Sequence, residues 1–405
     1  MDMYESSLNF LDGEYESMCA LLLRWADVNT GSRNLAGLER LLELLRSEFE
    51  ALGGESRLVA LPSCAIPDET GEVADIELGK ALVISKRPES ALQVLLCCHM
   101  DTVYPADHVF QKCFQPSDEV LNGPGVTDAK GGIVVLFKAL QALERTPYAA
   151  RIGWQVLINP DEEIGSPGSR VLLEQAARKN HVGLVFEPSF PDGSLVAARK
   201  GSGNFTVTVR GKAAHAGREP HLGRNAINAL AEFVVRLNEL SLSEGTTVNV
   251  GYVHGGGPVN VVPDRAVLRF NVRIARPADQ AFMEESIRKI ADEVGSTEGI
   301  AIRLLGGFAR PPKPLDEPTV GLLKHFANCA GTLGMDLGWS DSGGACDGNL
   351  LAVHGLPTVD SLGVTGGNIH SPNEYVLLRS LPQRAKLTAL FLMKLASGEI
   401  AAPAL

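Results

Sequence analysis

Five short segments, far apart in the chain, each carry one or two side chains able to bind a metal. They are CHMDTV (98–103), GPGVTDAKGG (123–132), NPDEEIGS (159–166), FEPS (186–189) and GGNIHSPNEY (366–375). Together they supply His99, Asp101, Asp128, Glu162, Glu163, Glu187 and His370. Two imidazoles with several carboxylates suit a pair of zinc-like divalent ions, which accept nitrogen and carboxylate oxygen alike. Two such ions about 3.5–4 Å apart can share a water, lower its pKa and polarise a carbonyl. One carboxylate beyond what the ions need is then free to take the proton and pass it to a leaving amine. Adjacent Glu162 and Glu163 suit that division, one on a metal and its neighbour on the water. Singly each segment says little, since an HxD or a DEE run is ordinarily a solvated strand end. The signal is their ordered combination, with acidic and His residues placed after apolar runs.

The elements around these residues explain how they could converge. ALVISK (81–86) and ALQVLLCCH (91–99) read as strands, and the second is almost continuously apolar, as a central strand buried on both faces must be. It ends in His99, and in open α/β sheets ligands gather at the carboxyl ends of strands. WQVLINP (154–160) runs into the DEE, and VGLVFEP (182–188) ends at Glu187. Helices are expected over 14–52, stopping at Gly53 and Gly54, over 133–145, and over 169–180 with Ser169 as N-cap. This is an α/β rhythm, a mixed sheet flanked by helices. From about residue 198 the pattern changes. FTVTVRG (205–211) alternates, and a helix at 225–240, strands at 246–253 and 266–275, a helix at 278–295 and a strand at 300–307 follow. The order β-α-β-β-α-β is that of a ferredoxin-like α+β unit. RPPKP (310–314) reads as the hinge back, followed by a helix at 317–333, the loop GWSDSGGACDGN, a strand TVDSLG and a helix at 379–397. The expected organisation is therefore a discontinuous catalytic domain, 1–197 and 311–405, interrupted by an inserted domain, 198–310.

Composition bounds the setting. A chain of 405 residues exceeds the usual size of a single core. The net charge of −11, from 48 acidic and 37 basic residues, argues against a nucleic-acid backbone as partner. An anionic small substrate remains compatible, because buried ions or a nearby Arg can reverse the local field. Seven scattered cysteines without a CxxC spacing are neither a disulfide framework nor a thiolate metal site. Cys97 and Cys98 suit a buried strand in a reducing compartment, and Cys346 reads as a passive small residue. The acidic N-terminus is unlike a secretory signal, and no apolar run reaches the ~18 residues of a membrane span, so a cytoplasmic enzyme is expected.

The order of the motifs, with a ferredoxin-like insertion between the fourth and fifth, resembles the co-catalytic zinc exopeptidase family. That family includes glutamate carboxypeptidase, aminoacylase, acetylornithine deacetylase and succinyl-diaminopimelate desuccinylase. The details around HMDTV, GPGVTDAKGG, AHAG and NVVP are most similar to the glutamate carboxypeptidase branch. The resemblance implies that His99 and Glu187 bind one metal, Glu163 and His370 the other, and that Asp128 bridges them. It implies that Asp101 orients His99, that Glu162 is the general base, and that the peptide after Asp128 is cis. His215 in GKAAHAG would reach a partner subunit's site and hold the substrate carbonyl or developing oxyanion. Asn260 in PVNVVP and Arg273 in FNVRIAR would bind the substrate α-carboxylate, with backbone N–H groups at Gly366 and Gly367 completing that pocket. The implied cofactors are two divalent ions, zinc first, with cobalt or manganese as alternatives. The implied assembly is a homodimer through the inserted domain. The expected activity is hydrolysis of an amide bond in peptidyl or N-acyl amino acids with a free α-carboxylate. N-acyl amino-acid deacylation is the close alternative, and a dipeptidase or aminopeptidase the more distant one. Arg199, Lys200, Arg218 and Arg310 are cationic candidates for an acidic substrate group.

Overall fold

The computed structural model describes residues 2–68 and 70–403. Three helices open the chain: α1 (Asp2–Asp12), α2 (Tyr15–Ala26) and α3 (Leu35–Phe49). The single helix expected over 14–52 is thus two. The polar run between them turns, and Asn34 caps α3 by accepting from the Gly37 N–H at 3.1 Å. The turn has a use, because Thr102, within the CHMDTV segment, donates its N–H to the Thr30 carbonyl at 2.9 Å.

Five strands of the first sheet follow: β1 (Glu55–Ala60), β2 (Lys80–Lys86), β3 (Gln93–His99), β4 (Gly153–Asn159) and β5 (Val182–Val185). Helices α4 (Lys130–Glu144) and α5 (Arg170–Ala177) precede and follow β4. The chain then builds a second sheet from β6 (Gly201–Arg210), β7 (Thr247–Gly255), β8 (Arg265–Ile274) and β9 (Ala301–Arg310), with helices α6 (Ala226–Asn238) and α7 (Pro277–Gly295). It returns through α8 (Glu317–Thr332) and α9 (Asp347–Val353), adds β10 (Thr358–Val359) to the first sheet and ends in α10 (Ser380–Ser397).

The first sheet has the order β1-β2-β4-β3-β5-β10, and only β2 runs against its neighbours. Both faces are buried. Val94, Leu96 and Cys98 of β3 join a core with the first four helices, α8 and α10, while Leu95 and Cys97 point into a smaller one under α5 and α9. That explains why β3 is apolar from Val94 to Cys98. The strand expected from TVDSLG stops after two residues, because Asp360 and Ser361 turn away to bind buried cations. Ser169 does not cap α5 with its side chain. Its hydroxyl instead bonds Asp161 and accepts from Asn159 at 3.0 Å.

The second sheet is antiparallel throughout, in the order β7-β8-β6-β9, as the β-α-β-β-α-β reading requires. Phe205, Val207, Leu268 and Phe270 pack on one face against Phe233 of α6 and Ile287 of α7. Thr206, Thr208 and Val267 point to the opposite face and are also buried. A hairpin absent from the sequence reading covers them. Its strands are Cys64–Pro67 and Val73–Ile76, inserted between β1 and β2. Glu72 near its tip pairs with Arg210 and Arg265, each at 2.7 Å, and Arg269 donates to the Pro67 carbonyl at 3.2 Å. The two sheets are joined where Arg199 and Lys313 exchange backbone hydrogen bonds at 2.9 and 3.0 Å. Among the described residues no helix is long and apolar enough to cross a membrane.

Candidate active site

β3, β4 and β5 lie side by side and parallel, so their carboxyl ends share one edge. The register sets His99 opposite Asn159, the last residue of β4, and Phe186 just after β5 donates its N–H to Cys97 at 2.9 Å. His99, the Glu162–Glu163 turn and Glu187 are thereby delivered to one place. Asp128 arrives from the loop that opens α4, and His370 from the loop after Gly366 and Gly367. Glycine lets these loops close in. A Cβ on Gly132 would sit 2.0 Å from the Phe186 carbonyl oxygen, and one on Gly366 would sit 2.1 Å from the Tyr375 carbonyl oxygen.

Asp128 faces both imidazoles. Its Oδ1 is 3.0 Å from His99 Nε2 and its Oδ2 is 3.3 Å from His370 Nε2. Glu187 Oε1 is 3.8 Å from His99 Nε2, and Glu163 Oε2 is 3.3 Å from His370 Nε2. The Asp128–Ala129 peptide is cis. His99 Nδ1 lies 3.0 Å from the Asp101 main-chain carbonyl and 3.4 Å from its carboxylate, which fixes the ring with Nε2 inward. The Asp101 carboxylate also accepts from Ser32 Oγ at 2.7 Å and from the Glu162 and Glu163 N–H groups at 3.1 Å. It therefore holds the acidic turn as well as the imidazole.

The electrostatics are those of a crowded acidic pocket. Burial raises the Glu187 carboxyl to about 7, and burial followed by the Asp128 charge raises Glu163. Hydrogen bonds to Asp128 and Glu163 push His370 up to about 11. Burial works against the charged form of His99, yet Glu187, Asp101 and Asp128 outweigh it and raise its pKa. Burial likewise opposes ionisation of Asp128, but the two imidazoles hold that carboxyl well below its ordinary range. This donor set fits divalent ions. His99, Asp128 and Glu163 each offer an atom within 4.8 Å of the others, and Asp128 and Glu163 both face imidazoles.

Asp128, Glu163, Glu187 and His370 line a cavity of about 530 Å³ between the two sheets, together with Glu162, Arg273, Gly366 and Gly367. Arg273 donates Nε to Asn271 Oδ1 at 2.9 Å, and burial followed by the charge of Arg310 lowers its pKa. His215 and Asn260 do not line this cavity. They are neighbours on exposed turns beside the second sheet, where His215 Nδ1 accepts from the Gly217 and Arg218 N–H groups at 3.1 Å and the Asn260 carbonyl accepts from Ala216 at 2.9 Å. Arg199 and Arg310 do line it, but neither is free: Arg199 bonds Asp360 at 2.8 Å, and Arg310 bonds Glu162 and Asp347. Lys200 and Arg218 lie off the cavity.

Two carboxylates escaped the sequence reading. Glu374, 1 % exposed, accepts from the N–H groups of Gly125, Thr127 and Asp128 at 2.9–3.1 Å and from Tyr104 Oη at 3.0 Å. It ties the Asp128 loop to the segment that carries His370. Burial, then the Asp128 charge, raises it to about 7 against the pull of those N–H groups. Asp347 anchors Arg310 behind the acidic turn. The only sequence signal for Glu374 was its position four residues after His370.

Residues 95–394 match the profile of peptidase family M20/M25/M40. The chain is 28% identical over 393 residues to carboxypeptidase G2 of Pseudomonas sp. (strain RS-16), covering 95% of this chain and 91% of that one. It is 28% identical over 340 residues to succinyl-diaminopimelate desuccinylase of Hahella chejuensis, covering 78% and 86%. Its fold matches that of an M20 family metallo-carboxypeptidase, Sso-CP2 from Sulfolobus solfataricus, with a TM-score of 0.72 at 18% identity, covering 93% and 98% of the two chains. A profile match over most of the chain, set on inward-facing His and carboxylate side chains gathered at neighbouring strand ends, makes this protein a metallohydrolase that belongs to peptidase family M20/M25/M40.

Proposed function

We propose that the protein hydrolyses an amide bond in peptidyl or N-acyl amino acids with a free α-carboxylate, in the manner of a glutamate carboxypeptidase. The observation that carries this reading is Asp128, one oxygen toward each imidazole, in a cavity that also holds Glu162 and Arg273. His99, Glu187, Glu163 and His370 would complete two sites sharing Asp128, with zinc as the expected ion. When bound, the ions supply Lewis-acid polarisation of the scissile carbonyl and acidify the attacking water. Glu162 takes the water's proton and returns it to the leaving nitrogen. Arg273 grips the α-carboxylate by two-point contact, and the N–H groups near Gly366 and Gly367 close that pocket. The similarity to a desuccinylase supports deacylation of N-acyl amino acids as the second reading.

We further propose a catalytic domain of 1–197 and 311–405 and an inserted, dimer-forming domain of 198–310. The separate core of the second sheet and the paired crossing at Arg199 and Lys313 support it. β7 is an edge strand with Val253 exposed. Val259 and Val261 beside it, and Ile227 and Val235 on α6, are exposed as well. Two copies paired there would carry His215 and Asn260 toward the partner's cavity. Seven free cysteines support a reducing compartment, the cytoplasm.

The test is a substrate panel on protein stripped by chelator and reloaded with Zn²⁺, Mn²⁺ or Co²⁺. Activity is expected to vanish on stripping, to return with metal, and to favour N-blocked dipeptides over free ones. Full activity of rigorously metal-free protein would overturn the mechanism. A preference for N-acetyl or N-succinyl amino acids would select deacylation.

A further inference from the structure

Glu162 is held by a cation from the other sheet. Arg310 is the last residue of β9, is only 7 % exposed, and places Nη2 2.7 Å from Glu162 Oε1 and 3.1 Å from the Glu162 carbonyl. The same nitrogen bonds Ser166 Oγ at 2.9 Å and Asp347 Oδ1 at 3.0 Å. Asp347 opens α9, is 2 % exposed, and is fixed in turn by Asn159 Nδ2 at 2.7 Å and by the Ser166 hydroxyl. The guanidinium is therefore clamped from three directions and is not free to swing toward a ligand. No hydrogen bond or ion pair engages Glu162 Oε2 among the described residues, and Glu162 lines the cavity.

We propose that Arg310 is a positioning residue. It holds one oxygen of Glu162 so that the other faces the reacting water, and Asp347 and Ser166 hold Arg310. This rests on Glu162 being the general base. It removes Arg310 from the cations available to an acidic group of the substrate. A free glutamate side chain samples many rotamers, and misplacing a catalytic group by about 1 Å costs on the order of 100-fold in rate. Pinning one oxygen to a clamped guanidinium removes that freedom before substrate arrives.

The test uses Arg310→Lys, which keeps the charge but replaces the rigid guanidinium with a shorter, flexible ammonium arm, and Asp347→Asn, which keeps the shape and loses the anchor. Each is measured alone and in the Glu162→Gln background, with metal content and thermal midpoint recorded. Alone, each is expected to lower kcat about 10- to 100-fold with KM nearly unchanged and both metals retained. In the Glu162→Gln background neither should slow the enzyme further, because each acts only through that carboxylate. Should neither charge variant fold, Ser166→Ala removes one hydroxyl of the clamp and is expected to lower kcat by about threefold, again only while Glu162 is present. Three results overturn the proposal: unchanged kcat, a rise in KM that exceeds the fall in kcat, or losses that persist in the Glu162→Gln background. A Glu162→Gln enzyme of normal turnover would instead overturn the base assignment itself. A dead one beside normal Arg310→Lys and Asp347→Asn enzymes would overturn the positioning role alone.

Discussion

Glu162 and Glu163 are consecutive, yet their side chains leave the same short turn in different directions. Glu163 Oε2 points to His370 and Glu162 Oε1 to Arg310, while the Asp101 carboxylate takes both N–H groups. Their substitutions should separate accordingly. Glu162→Gln is expected to keep two metals and lose about 10²–10⁴ in turnover, whereas Glu163→Gln should lose metal as well. Elemental analysis beside steady-state rates reads both, and near-normal turnover of the first variant would show the base to be wrongly assigned. The residues gathered at the strand ends were legible because His and paired acids after buried strands are unusual. Glu374 and Asp347 were not. Each acts by accepting from backbone or from another side chain far away in sequence, and nothing in local spacing marks such a carboxylate. Arg310 was legible as a cation, but its commitment to Glu162 depends on where β9 ends.

At the scale of elements, the strands were readable wherever burial on both faces forced continuous apolar runs, as in β3. The hairpin at Cys64–Pro67 and Val73–Ile76 was not, because its strands are four residues each, one ends in Pro, and they are held by what they dock upon. Nor was the break between α2 and α3, although the run DVNTGSRN (27–34) between them is polar and holds a Gly. The end of α4 supplies a test of its own. Glu144 joins Lys86 and Arg87 at the end of β2 to Trp154 of β4. Burial opposes its charge, but Arg87, Lys86 and Trp154 outweigh it and hold the carboxyl below its ordinary value. The stability this contributes is full above the unfolded pKa of about 4.3 and is lost as pH falls through the lower folded value. Glu144→Gln is therefore expected to lower the thermal midpoint by about 2–4 °C at pH 7. The gap to wild type should close as the solution is acidified below about pH 4. A gap that is constant down to acid pH would mean that the ionised carboxylate is not what stabilises this corner.

For the whole molecule, the decisive matter is that His215 and Asn260 sit on the outside of the chain that contains them. If a second copy receives them, two inactive variants should repair one another. A dimer of His215→Ala with Glu162→Gln has one site with both wild-type side chains, and random mixing makes about half the dimers hybrid, so about a quarter of wild-type activity should return to the mixture and about half to purified hybrids. Co-expression, purification of mixed dimers and a turnover assay decide it, and no recovery would place His215 in its own chain's service or in none. The hairpin on the second sheet has a different consequence, for exchange of parts between relatives. Segment 198–310 looks like a cassette with two joints, but Glu72 from outside it is bonded to Arg210 and Arg265 within it, and Gly71 lies directly on Thr208. A graft cut at the two joints alone would bring foreign side chains against that hairpin or leave Thr206, Thr208 and Val267 bare. The transferable piece has two parts, and residues 64–76 must travel with the cassette for the chimera to keep its cover.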